Sequence, residues 1–147
     1  MGECRGAEAL DMLQAMNTGH EGSLTTVHAN TPHDAFNRLE TMVMYSNVQL
    51  PSTAIRDQMA AAIHIVLQQN RLVDGSRKVV SIAEVRGQDN GTILLEDIFV
   101  YDQTGLTADG KVIGYHTPTG SEPKCLPRLR GFGVQLAPDM FQKVATH

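Results

Sequence analysis

Gly2-Glu3-Cys4-Arg5-Gly6-Ala7-Glu8-Ala9-Leu10-Asp11-Met12-Leu13-Gln14-Ala15-Met16-Asn17-Thr18-Gly19-His20-Glu21-Gly22-Ser23-Leu24-Thr25-Thr26-Val27-His28-Ala29-Asn30 is a strand end, a helix and a second strand in one run. The helix is predicted over 7–16. Ala9, Leu10, Met12, Leu13 and Met16 share one side, and Glu8, Asp11 and Gln14 the other. Asn17-Thr18-Gly19 closes it, with Gly19 suited to a left-handed cap. Ser23 to His28 is short and β-rich, as a buried strand is. Cys4, at the end of the preceding strand, reads as a small buried hydrophobe. Strand, helix and strand in this order make a layered α/β arrangement. In such layers the C-terminal ends of strands share one edge, so Glu3 and His28 are expected there together.

Working outward, Thr31-Pro32-His33-Asp34 opens another helix: Thr31 can cap, Pro32 fits the first turn and Asp34 suits the positive end. Phe36, Leu39 and Val43 mark its core stripe. Pro51 with Ser52 or Thr53 opens a third helix, with Ile55, Met59 and Ile63 on one face. The period then changes. Residues 63–70, 78–86 and 92–101 read as strands joined by Asp74-Gly75-Ser76 and Asp89-Asn90-Gly91, both turn signals, and so as an antiparallel meander. From Gln103 the chain is rich in Gly, Pro and Thr and is expected to be an irregular tail, with a short helix at 138–144. The domain expectation is therefore a body over 1–102 and a tail over 103–147.

Composition narrows the classes. Chains of this size bury roughly 70% of their unfolded surface, enough for a core without staples. Cys4 and Cys125 are the two cysteines, far apart, and form neither a disulfide framework nor a zinc pattern, which suits a reducing compartment. No run approaches a membrane span, and no signal peptide is read at Met1. The net charge of −4 argues against general nucleic-acid binding. It is uneven: residues 1–102 hold 7 Lys/Arg and 13 Asp/Glu, residues 103–147 hold 5 and 3. A basic tail on an acidic body is either solvated or meets an acidic neighbour or a lipid surface.

Glu3 is either a surface acid or a carboxylate that orients water and supports Mg²⁺ through its water shell, as hydrolytic nucleotide sites require. Arg5 can pair with a phosphate or with a carboxylate such as Glu8. His28, after Thr25-Thr26, can donate to a phosphate oxygen or be merely structural. His20 and His28 lack a third ligand at motif spacing, so a metal site reads poorly. His64, at a helix–strand junction, reads as a core or edge histidine. No G-x-x-x-x-G-K-[ST] phosphate loop occurs in the 147 residues. The opening run therefore reads as the second half of a nucleotide site.

Residues 2–20 resemble the Walker B segment of the type II/type IV secretion ATPases, and Gly22-Ser23-Leu24-Thr25-Thr26-Val27-His28-Ala29-Asn30 resembles their histidine box. The likeness is to the tight-adherence (Flp) pilus assembly branch, the CpaF-type proteins. Arg38-Leu39-Glu40-Thr41-Met42, Ala54-Ile55-Arg56, Ile65-Val66-Leu67-Gln68-Gln69, Asp97-Ile98-Phe99-Val100-Tyr101, Thr119-Gly120 and Pro123-Lys124 continue it. The resemblance implies the C-terminal half of a RecA-like P-loop NTPase motor using ATP and Mg²⁺. It implies a homo-hexamer, cytoplasmic and peripheral to the bacterial inner membrane, working on platform proteins in pilus assembly or protein export. Glu3 would be the catalytic Walker B glutamate and His28 the phosphate-facing histidine. Arg5, Glu8, His20 and Arg38 would support the site or a subunit contact, with no direct metal ligand. Met1 stands in place of an aliphatic strand residue, and His64 where relatives often carry an acid.

Without a phosphate loop these residues are expected to bind no nucleotide tightly and to be inactive alone. Two other readings stay open: a non-catalytic docking module for secretion-platform partners, and an unrelated hydrolase using Cys4 with His20 or His28.

Overall fold

A computed structural model describes residues 2–20 and 22–145; Met1, and Glu21 of the opening run, lie outside the described residues. The chain is mixed α/β. Helices α1 (Glu8–Asn17), α2 (Pro32–Met44) and α3 (Ser52–Ala62) come first, followed by strands β1 (Ile65–Arg71), β2 (Arg77–Asp89), β3 (Thr92–Leu106) and β4 (Val112–Pro118) and the short helix α4 (Leu126–Gly131). The strands lie in chain order in one sheet, β1-β2-β3-β4.

Two compact units divide the chain: Met1–Val66 with Val85–Leu95, and Leu67–Glu84 with Glu96–His147. In the first, α1, α2 and α3 pack their apolar faces together. Leu13, Val43, Ile55 and Met59 are all but inaccessible, and Cys4 sits among them with its thiol against the Met42 sulfur. Each such aliphatic side chain contributes about 1.5–3 kcal/mol on burial. Thr31 caps α2 as expected, its hydroxyl accepting from the Asp34 N–H at 3.1 Å, with Pro32 in the first turn. Gly19 takes a φ of 90° just past α1. Helix α3 follows Pro51 with no side-chain cap, and Ile63 is its C-cap, half-buried and packed against the core. His64 is exposed and engages through its carbonyl, which accepts from Val85 N–H.

The second unit holds most of the meander and the tail. Leu72–Ser76 and Thr107–Lys111 form the same five-residue turn. In each, the first residue's N–H bonds to the last carbonyl, and Gly75 or Gly110 has positive φ. Asp74 ties the two hairpins, accepting from Ser76 and from the Val112 N–H at 2.8 Å; these donors lower its carboxyl to about 2. At Gly114 a Cβ would lie 2.5 Å from the Asp102 carbonyl and 2.6 Å from the Tyr101 ring, so only glycine fits.

Three expectations are corrected. The tail is not irregular: β3 runs on to Leu106, and β4 pairs with it antiparallel from Phe99↔Pro118 to Leu106↔Val112, across an irregularity between Gln103 and Gly105. The tail's helix is α4, whereas 138–142 is a pair of tight turns, because Pro138 and the Ala137–Met140 bond start no longer ladder. Ser23–His28 is not a buried strand. It makes one parallel bridge, Glu3↔Thr26, and Leu24 is 83% exposed, since among the described residues no further strand flanks it.

Candidate functional site

The site forms around that bridge. Cys4 N–H donates to the Thr26 carbonyl at 2.9 Å, and the Thr26 hydroxyl donates to the Gly2 carbonyl at 2.8 Å. Side chains two apart on a strand share a face, so His28 lies beyond Thr26 on the side where Glu3 stands. His28 Nδ1 is 2.8 Å from Glu3 Oε1, and Arg5 Nη2 is 2.6 Å from Glu3 Oε2. A carboxylate only accepts, so Nδ1 carries the proton and Nε2 is left to face other groups. Arg5's hydrogen bond, ahead of the opposing effect of desolvation, holds the Glu3 carboxyl below its ordinary value, and Glu3 holds the guanidinium above its own. Glu3 is thus an ionised group with both oxygens engaged.

Arg38, on α2, donates from Nη1 to the His28 carbonyl at 2.8 Å and so fixes the backbone that carries the imidazole. Glu8 does something else. Its Oε1 accepts from the N–H groups of Arg5 (2.7 Å) and Gly6 (3.0 Å), which lowers its carboxyl and shapes the turn from Cys4 into α1. His20 is exposed, and its carbonyl accepts from the Ser23 hydroxyl at 2.7 Å. The structure therefore brings Glu3, Arg5, His28 and Arg38 together, places Glu8 on the backbone beneath them and gives His20 a turn contact.

The Cys4 nucleophile reading fails. The thiol is 1% exposed, burial pushes its ionisation up, and the imidazole of His28 is turned to Glu3. Among the described residues no group of three His, Cys, Asp or Glu could hold a metal ion.

Sequence reading missed Thr26, which supplies the rung, and the pair formed by Glu40 and Arg56. Glu40 is buried on α2, and Arg56 of α3 meets its Oε2 through Nε (2.9 Å) and Nη2 (2.7 Å) while Nη1 bonds the Gly91 carbonyl. Glu40 stands four residues after Phe36 on the apolar stripe, and a charge there requires a partner. The pair lines a cavity of about 220 Å³ with His33, Asn37 and Thr92.

Residues 1–107 match the protein family described as Type II/IV secretion system protein. A Mycobacterium tuberculosis protein named for conjugal transfer is 36% identical over 113 residues, 77% of this chain and 31% of that protein. The Bordetella pertussis type IV secretion system protein PtlH is 39% identical over 83 residues, 54% of this chain and 24% of that protein. In structure, the VirB11 ATPase of the Brucella suis type IV secretion system, solved with sulphate, matches with a TM-score of 0.54 at 32% identity. The match covers 56% of this chain and 26% of that one. The chain thus spans about a third or less of the length of these relatives.

Proposed function

The chain belongs to the type II/IV secretion system protein family, and on that premise we propose that it is the C-terminal part of a RecA-like, CpaF-type secretion ATPase motor, with Glu3 and His28 at the hydrolytic centre. The observation that carries this reading is the Glu3 carboxylate clamped between Arg5 and His28 at the end of a parallel rung. A carboxylate kept ionised by a guanidinium is a weak base but a good orienter of water. Its oxygens are taken in the arrangement seen, so an incoming phosphate would compete for Arg5 and His28 and free Glu3 toward a water molecule. Arg38 then keeps His28 in reach. One carboxylate outside any group of three possible ligands among the described residues fits an outer contact to hydrated Mg²⁺, which would neutralise phosphate charge when bound with ATP, and does not fit a protein cage. The resemblance supports a hexamer acting at the cytoplasmic side of the inner membrane on platform proteins of a pilus or export system. The 147 residues hold no phosphate loop, so they should release no phosphate from Mg-ATP by themselves.

The test is phosphate release, measured for these residues and for the protein carrying a phosphate loop ahead of Gly2. The expected result is turnover only in the second, abolished in Glu3→Gln with nucleotide binding retained. Full turnover in Glu3→Gln would end the assignment.

A further inference from the structure

Helices α2 and α3 and the start of β3 enclose a cavity of about 220 Å³ that no residue of the nucleotide-site reading lines. It lies wholly within the first compact unit. Phe36, Met59 and Ile93, each at most 4% exposed, form its apolar walls. Glu40, itself buried, lines it as well. Arg56 meets only one oxygen of that carboxylate: Nε lies 2.9 Å and Nη2 2.7 Å from Oε2, and Nη1 donates to the Gly91 carbonyl. The guanidinium therefore balances the charge of Glu40 but leaves Oε1 without a hydrogen-bond partner among the described residues. A buried carboxylate oxygen that lacks a donor is costly, and native structures supply one. At the mouth, the exposed side chains of Asn37 and Thr92 also make no hydrogen bond among the described residues.

The lining selects its guest. Oε1 of an ionised carboxylate only accepts, so the guest donates an N–H or O–H. Arg56 beside it disfavours an ammonium and Glu40 disfavours an anion, so the donor is uncharged. Apolar walls suit a flat ring, and the volume, below that of drug-sized pockets, limits the guest to a single small one. The Asn37 amide and the Thr92 hydroxyl can donate to an acceptor on the same molecule. We propose that this cavity binds a small, flat, uncharged carboxamide or lactam, with its N–H on Glu40 Oε1 and its carbonyl toward Asn37 or Thr92. Arg56 keeps its protein partners throughout and makes no contact with the guest. The site stands apart from the nucleotide-site reading and needs no nucleotide.

Nicotinamide and nicotinate are the probes: they share a ring, but the second is an anion with no N–H. With the Met59 and Ile93 methyl groups isotopically labelled, nicotinamide should shift both resonances. The shifts should saturate with a Kd of about 1–10 mM, as a ligand of about nine non-hydrogen atoms allows. Nicotinate should bind about tenfold more weakly or worse, because it leaves Oε1 without a donor. Glu40→Gln keeps the shape of the side chain. Its carbonyl oxygen takes the Arg56 bonds and turns an NH₂ group to the cavity, so the preference should invert toward nicotinate. Thr92→Phe, at an exposed position, should close the mouth and abolish the nicotinamide shifts with the fold intact. If Glu40→Gln does not fold, nicotinate and Thr92→Phe decide alone. Four results would overturn the proposal: no methyl shift far above that Kd, which marks a cavity of water only; equal affinity for nicotinate in the unmodified protein; an unchanged preference in folded Glu40→Gln; or undiminished binding in Thr92→Phe.

Discussion

At the scale of single residues, the Glu3 carboxylate should report its own surroundings. Arg5 holds its folded-state ionisation below the ordinary 4.5. Such a group favours the fold above the unfolded value, and that contribution is lost as pH falls through the lower folded value. A carbon-detected titration of the Glu3 carboxyl should have its midpoint below 4.5, and Arg5→Ala should move it up. A midpoint at 4.5 or above in the unmodified protein would contradict the ion pair. That Glu3 and His28 meet was legible from their places at two strand ends, but a hydrolytic role for either came from the resemblance alone, since the same residues also suit a surface acid and a structural histidine. That Glu8 acts through the backbone was not legible, for a plain reason. A carboxylate that serves backbone N–H groups looks in sequence like one that serves a ligand, and only the 2.7 and 3.0 Å bonds separate the two. Arg38 was expected at the site through resemblance alone, since nothing in its spacing announces a bond to a carbonyl ten residues earlier.

At the scale of elements, Arg56 is the tie that joins α2, α3 and the β2–β3 turn. Removing one member of a buried pair strands the other. Arg56→Ala should cost about 3 kcal/mol, at the lower end of the usual range because Arg56 is itself partly exposed. The Glu40→Met/Arg56→Leu double change should recover most of it. Urea midpoints of the three variants measure this, and a loss below about 0.5 kcal/mol in Arg56→Ala would show an ordinary surface pair. Helices α1, α2 and α3 were legible from their period and α2 also from its cap, whereas α4 was not; two of the turns were legible from Asp-Gly and Asn-Gly. The fourth strand was not. Val112-Ile113-Gly114-Tyr115-His116-Thr117-Pro118 has a glycine at its third position and a proline at its end, both depleted in strands. Yet Asp109-Gly110 repeats the Asp74-Gly75 signal, and that repetition could have revealed the hairpin.

At the scale of the whole molecule, exposed apolar groups decide behaviour in solution. Leu24, Tyr45, Val73 and Phe132 are each at least 72% exposed, and β1 and β4 are edges of the sheet. Open strand edges and apolar patches invite association. Size-exclusion chromatography with light scattering should show self-association that grows with concentration, accompanied by dye binding. A monodisperse, dye-silent monomer with cooperative unfolding would instead favour a self-sufficient docking module. The unit boundaries carry one more implication. They fall at 66/67, 84/85 and 95/96, each inside a continuous strand and none in a linker. A protease has no loop to enter there, and a gene cut at any of these points would end mid-strand. Exchange of either unit as a cassette would therefore mean cutting through three strands.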